Sequence, residues 1–330
     1  MTDLTCPNDT SFSNASSSHA YTLLFMLTGL SVAVYAFARF AEANNQLNYN
    51  SRLSRIIAGC LNLTVNMLHT TAGDLSIVND EAKLITSGPH LTSWEAFVLA
   101  SKMKGTPPQI FATDMYNFIP GVASFMERFK VITIEANPVK QAGGPSGNAK
   151  ALEKASQALK EKGCVALFPQ GNFCKIAQDA PRVYNGAAKL AIMNQIPIHV
   201  IRLDGYWSLQ NTLIPLFVRN HAYFRAFVSG FLRNNVRATL CCVIDFHLQP
   251  ENNNLSEDEK IDEICAQLYA YYRHTEELSV EQINSIKTSI SDKTHLMVWK
   301  NKVQQGALEK ELATLKKEAA EQWGLSTLRA

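Results

Sequence analysis

Between residues 82 and 248 the chain alternates short apolar, β-branched runs with longer helix-forming ones, and this alternation restricts the fold more than any other feature of the sequence. "AKLITSG" (82–88), "KVITIEA" (130–136), "CVALFPQG" (164–171), "IPIHVIRLDG" (196–205) and "ATLCCVIDFHL" (238–248) read as strands. "TSWEAFVLASKM" (92–103), "NAKALEKASQALKEKG" (148–163) and "VYNGAAKLAIMNQ" (183–195) read as helices, the second stopping at Gly163. Strands separated by helices at this spacing need crossover connections. They predict an α/β fold with a mostly parallel sheet flanked by helices on both faces.

Upstream, "AYTLLFMLTGLSVAVYAFA" (20–38) runs for 19 residues without a charge, about the length of a bilayer-crossing helix. Arg39, Arg52 and Arg55 follow it, so the positive-inside rule would leave the main domain in the cytosol. Asp3 and Asp9 precede it and no Lys or Arg does, which disfavours a secretory signal peptide. Thr22, Thr28, Gly29 and Ser31 dilute the run, so a buried or surface-lying helix competes with an N-terminal membrane helix. The Ser/Asn-rich residues 1–19 read as a disordered leader and 51–69 as an amphipathic helix. Residues 256–324 carry helical apolar spacing with i,i+4 charge pairs and read as a helical appendage, structural rather than functional.

Composition excludes some function classes. The net charge of +2 is split: residues 251–330 hold 14 acidic and 10 basic side chains, so that tail is −4 and the rest is +6. Nucleic-acid binding is not expected, since the chain is not basic overall and carries none of the usual binding motifs. The seven cysteines form no C-x-x-C pair, which argues against a zinc site and for reduced, buried thiols.

His90 follows Gly88-Pro89, where a strand gives way to a helix and a rigid scaffold presents an open edge. Two readings of Glu95 stand side by side. Thr92-x-x-Glu95 fits a capping box, in which the carboxylate satisfies N–H groups of the first turn. The same carboxylate, one turn inside the helix, reaches back to the imidazole, fixes its tautomer and stabilises the imidazolium formed when it takes a proton from a hydroxyl. A second element, "VALFPQGNFCK" (165–175), is an apolar strand ending in Phe-Pro-Gln-Gly, whose turn exposes backbone N–H groups at the strand's carboxyl end. A third, "YNGAAKLAIMNQIPIHVI" (184–201), is a close-packing Gly-Ala-Ala helix that feeds a strand through Ile-Pro-Ile.

The order H-x-x-x-x-(D/E), then F-P-x-G, then G-A-A-(K/R)-L-A followed by (V/I)-P-I resembles the glycerolipid acyltransferases of the lysophosphatidic-acid acyltransferase type, over about residues 82–205. The resemblance implies that His90 is a general base and Glu95 its orienter. The activated hydroxyl of a lipid acceptor would attack an acyl thioester, with acyl-coenzyme A or acyl-carrier protein as co-substrate. It implies Ser93, Phe168, Pro169, Gln170, Gly171, Asn172 and Lys175 as substrate-binding candidates. Thioesters are already activated, so a base, its orienter and oxyanion donors suffice, and neither a metal nor another cofactor is expected. Membrane lipids and the thioester donor are the expected partners. Residues 20–69 are then expected to be membrane-associated helices, 70–250 the acyltransferase domain, and 251–330 the helical C-terminal region.

Several positions depart from the family pattern. Pro89 stands where the family usually has Asn, and Glu95 where it usually has Asp. Ala136 aligns with a usual arginine, and Gln170 and Phe173 replace the Glu and Arg of F-P-E-G-T-R-S. Arginine is hard to replace in bidentate phosphate recognition, so these losses favour an acceptor whose phosphate is masked by a headgroup, or one with no phosphate. Lys175 supplies at most a point charge, and a solvated surface lysine is the competing reading. Cys174, just past the turn, lacks a base at fixed spacing and is a weak nucleophile candidate. Between Gly205 and Ile244 no acid occurs, while arginines such as Arg219, Arg225 and Arg233 interleave with Trp207, Phe217 and Phe224, which suits either a membrane interface or an ordinary packed element. A lipid acyltransferase is the expected activity; a lipid-binding protein of the same fold with lost turnover, or an acyl hydrolase, are the alternatives.

Overall fold

A computed structural model describes residues 13–72, 83–114, 122–135, 147–174, 180, 182–206 and 234–322. Its centre is a seven-stranded sheet in the order β1-β7-β6-β2-β5-β3-β4. The strands are β1 (His69–Ala72), β2 (Lys83–Gly88), β3 (Pro108–Thr113), β4 (Ile132–Ile134), β5 (Cys164–Leu167), β6 (Ile198–Asp204) and β7 (Asn234–Ile244). β6, β2, β5, β3 and β4 run parallel, β7 is antiparallel to β6, and β1 is parallel to β7. The helices are α1 (Ser13–Ala43), α2 (Arg52–Leu68), α3 (Glu95–Lys102), α4 (Val122–Arg128), α5 (Gly147–Lys160), α6 (Gly186–Asn194), α7 (Glu257–Tyr272), α8 (Val280–Ser291) and α9 (Thr294–Gln322). The α/β fold with a mostly parallel, helix-flanked sheet is as the sequence alternation predicts.

The central strands are buried on both faces, and successive residues alternate between two cores. Leu84, Val165 and Val200 face one side, with Leu190 of α6 and Leu268 of α7. Ile85, Ala166 and Ile201 face the other, with Val98 and Leu99 of α3 and Val65 of α2. Each fully buried Val, Leu or Ile among them contributes about 1.5–3 kcal/mol.

The C-terminal helices are not all peripheral. Ile264, Cys265, Leu268, Tyr271 and Tyr272 of α7 lie in the main core. The Tyr272 hydroxyl lies within hydrogen-bond distance of the backbone carbonyls of Thr86 (2.9 Å) and Ile201 (3.1 Å) and shares its one proton between them, which ties the end of α7 to β2 and β6. Arg202, fully buried, adds a second tie. Its Nε donates to Asp204 at 2.8 Å, and its other nitrogens reach the carbonyls of Tyr271 and Glu276. A buried guanidinium is tolerated only with its donors satisfied, and here a carboxylate and two carbonyls do so.

The expected membrane-spanning helix is not borne out: among the described residues no helix is long and apolar enough to cross a membrane. Over the described side chains of α1 the apolar run is interrupted by Thr28, Gly29 and Ser31 and runs into Arg39 and Glu42. Glu42 pairs with Arg55 of α2 at 2.9 Å, anchoring the end of the helix to α2. Along α1, Met26, Leu30, Val32, Tyr35, Phe37 and Phe40 are all more than half exposed. The helix begins at Ser13, inside the stretch expected to be a disordered leader. Ala136 and most of the arginine-aromatic stretch, residues 207–233, lie outside the described residues.

Candidate active site

Sheet pairing brings two of the sequence motifs together. β2 and β5 are hydrogen-bonded neighbours with Thr86 opposite Leu167, so the residues that follow each strand emerge side by side at the carboxyl edge of the parallel strands. That edge is where open α/β sheets bind ligands. His90 follows β2, and Phe168, Pro169, Gln170 and Gly171 follow β5.

Nδ1 of His90 lies 2.7 Å from Oε2 of Glu95. Oε1 of the same carboxylate accepts the backbone N–H groups of Leu91 (2.7 Å) and Thr92 (3.1 Å). With a carboxylate as its partner, Nδ1 carries the proton and Nε2 keeps its lone pair. Glu95 is fully buried, while 16% of the His90 side chain is exposed. Burial pushes the Glu95 carboxyl above its ordinary value, and the hydrogen bonds from His90, Leu91 and Thr92 pull against that shift.

Two aromatic rings hold the imidazole. Phe168 stacks on it at 4.4 Å between centroids and 17° between planes, and Phe173 lies at 4.4 Å and 39°. The Cys174 N–H donates to the His90 carbonyl at 2.6 Å, which fastens the segment after the turn to the segment after β2. Within the turn, Gly171 N–H donates to Phe168 O (3.0 Å) and Tyr184 N–H to Pro169 O (2.7 Å). Gly171 has φ of +64°, a conformation that favours glycine.

Gln170 is fully buried, and among the described residues neither its amide oxygen nor its amide nitrogen has a hydrogen-bond partner. An unpaired buried amide costs on the order of 1–3 kcal/mol and marks a position where the fold holds a polar group available. A Cβ on Gly88 would lie 2.7 Å from Gln170 Nε2 and 2.8 Å from the Tyr272 ring, so β2, the turn and α7 converge where only glycine fits. Of the other expected site residues, Ser93 is half-buried in the turn preceding α3, Asn172 is exposed, and Lys175 lies outside the described residues.

In the sequence Phe173 stands out only as a lost arginine, whereas the structure seats it against the imidazole. Tyr272, 186 residues from the Thr86 it bonds, gave no local signal at all. Cys174 is buried, and burial, with the nearby Glu95 charge, pushes its thiol up to about 12. At neutral pH it is no thiolate nucleophile. The six described cysteines are unpaired, as expected.

A comparison with curated proteins finds no match. Among solved structures, the 1-acyl-sn-glycerophosphate (LPA) acyltransferase PlsC from Thermotoga maritima is similar at a TM-score of 0.40 and 14% identity, over 73% of this chain and 90% of that one. The Acyltransferase family profile matches residues 73–204, a span that holds His90, Glu95, the Phe-Pro-Gln-Gly turn and the Gly-Ala-Ala helix. Over residues 73–204, the chain is similar to the acyltransferase family.

Proposed function

We propose that the chain is a membrane-associated O-acyltransferase that moves a fatty acyl group from a thioester carrier to the hydroxyl of a lysophospholipid or related lipid. The reading is carried by the 2.7 Å contact between His90 Nδ1 and Glu95 Oε2, at the carboxyl edge of the sheet beside the Phe-Pro-Gln-Gly turn. His90 Nε2 takes the proton of the acceptor hydroxyl as its oxygen attacks the thioester carbonyl. The tetrahedral intermediate collapses with cleavage of the C–S bond, and the imidazolium returns the proton to the leaving thiolate. Glu95 holds the ring through its contact with Nδ1. Phe168 and Phe173 make the surroundings of the base apolar, which suits an acyl thioester and an acceptor without an exposed phosphate monoester. The exposed apolar side chains of α1 support docking on a membrane surface without spanning it, with the catalytic domain on the cytosolic side.

The test offers the purified protein a panel of lysolipids together with labelled acyl-coenzyme A or acyl-carrier protein. Transfer to a headgroup-bearing or phosphate-free acceptor is expected, with a loss of roughly 10²–10⁴-fold in His90→Ala. A preference for glycerol-3-phosphate overturns the acceptor assignment, and full activity in His90→Ala overturns the mechanism.

The two rings packed on His90 also favour a second reading, a lipid-binding protein of this fold with weakened turnover. Saturable lysolipid binding with no transfer from either donor would select it, and free fatty acid as the sole product would select a hydrolase.

A further inference from the structure

We propose that a cavity between the end of α7, α8 and the start of α9 binds a small amphiphilic anion, a negative head group against Arg273 with a short apolar tail. This site is separate from the His90 chemistry and does not rest on it. The cavity has a volume of about 250 Å³. At about 30 Å³ per water, that holds roughly eight waters, or an organic molecule with a similar number of heavy atoms.

Its lining sets the ligand's chemistry. Leu278, Ile286 and Val298 give one apolar wall, and Arg273, Ser285 and Ser289 bring polar groups, while no Asp or Glu lines it. Arg273 is half-buried. Its Nε donates to His274 Nε2 at 2.9 Å, and among the described residues no carboxylate pairs with its guanidinium. The neighbouring His295 is already engaged, with Nε2 on Glu263 (2.8 Å) and Nδ1 on the Ser289 carbonyl (3.2 Å). Arg273 therefore brings a cation with two nitrogens to spare into a cavity without a counter-charge. A planar guanidinium in that position favours a carboxylate or phosphate that it holds through paired hydrogen bonds. The apolar wall adds selectivity for a ligand with a hydrocarbon part.

The position also links the cavity to the sheet edge. The Arg273 carbonyl accepts the Ala180 N–H at 2.9 Å, and Tyr272, one residue before, is bonded to β2 and β6. Occupancy of the cavity thus acts on the same end of α7 that packs against Gly88.

The experiment is titration calorimetry on the full chain with three probes: monomeric octanoate, inorganic phosphate and octanol. Octanoate should bind saturably, phosphate more weakly, and octanol not at all. Arg273→Gln, which breaks no ion pair, should weaken octanoate roughly ten- to a hundredfold. Ser285→Trp, a bulky side chain at the exposed rim, should abolish binding, with both variants keeping the wild-type melting temperature. Octanoate binding unchanged in both folded variants would place it elsewhere and overturn the proposal, as would an absence of saturable octanoate binding. Phosphate binding as tightly as octanoate would overturn the amphiphilic part and leave a plain anion site.

Discussion

Glu95 divides its carboxylate between two tasks: Oε2 meets His90 Nδ1 at 2.7 Å, and Oε1 accepts two backbone N–H groups from Leu91 and Thr92. The capping box read from Thr92-x-x-Glu95 is not formed as expected: Trp94 is the N-cap and has no side-chain cap bond, and the Glu95 carboxylate instead accepts from the segment that precedes the helix while it meets the imidazole. The two tasks separate under substitution. Glu95→Gln keeps an oxygen for the backbone donors but presents an amide N–H to Nδ1, which forces the opposite tautomer and leaves Nε2 protonated. Its melting temperature should stay near wild type while acyl transfer falls by roughly 10²–10⁴-fold. Glu95→Ala also orphans two buried donors, at a cost of about 2–4 kcal/mol. Transfer assays and denaturant melts on both variants check this; wild-type turnover in Glu95→Gln would sink it.

Local patterns in the sequence carried the elements but not their convergence. β2, β5 and β6 were legible because each is an apolar run between turn signals. β3 (Pro108–Thr113) was not, since it follows Pro107 and begins at Pro108, residues that argue against a strand unless one stands at its first position. β1 is four residues long and pairs with a single strand, β7, leaving little periodicity to read. At the site, His90 and Glu95 sit five positions apart on one segment, and their pairing follows from a helix start. The placement of Phe173 against His90, and of Tyr272 beneath Gly88, depends on which strands become neighbours. Spacing along the chain does not encode that. The apolar run is helical, as its composition implies, but its charged end and hydroxyl residues weigh against the expected span.

Phe173 stands where the resembling family has an arginine, and it covers the imidazole face at 4.4 Å. Phe173→Arg should raise relative kcat/KM for a phosphate-bearing acceptor such as lysophosphatidic acid by roughly ten- to a hundredfold, since one charge-assisted contact is worth on the order of 1.5–3 kcal/mol. Competition between lysophosphatidic acid and a headgroup-bearing lysolipid reads the ratio directly. An unchanged ratio would show that position 173 does not select the acceptor.

Cys174 touches the site through its backbone, whose N–H donates to His90 O at 2.6 Å. Its thiol, pushed up to about 12, stays protonated at pH 8. Cys174→Ala should keep activity within a few-fold of wild type, and iodoacetamide at pH 8 should leave this residue unmodified in the folded protein. Peptide mapping after alkylation tests it; rapid modification that abolishes turnover would return the thiol to the mechanism.

Gly171 combines φ of +64° with a crowded flank, where an added Cβ would lie 2.6 Å from Cε2 of the Tyr184 ring. The left-handed conformation costs a side chain about 1–2 kcal/mol. Gly171→Ala should lose at least that much stability. Adding Tyr184→Ala, whose ring is 39% exposed, should relieve the contact but not the backbone cost. Melts of the single and double variants separate the two; full rescue by Tyr184→Ala would mean that the ring clash was the whole penalty.

Glu263 of α7 holds α9 through His295, with Oε1 2.8 Å from Nε2, and Gln267 donates to the same oxygen at 3.0 Å. Burial works to raise the Glu263 carboxyl, but the bonds from His295 and Gln267 outweigh it and hold the group below its ordinary value. A carboxyl depressed in the folded state contributes stability that is fully present above its unfolded value and lost as pH falls through its folded value. Wild type should therefore exceed Glu263→Gln in stability at neutral pH, and the gap should close as pH drops below about 4. Denaturant melts of both proteins at a series of pH values, read by far-UV circular dichroism, measure the gap. A gap that widens on acidification would mean that the folded state raises the Glu263 carboxyl, and that burial outweighs its two hydrogen bonds.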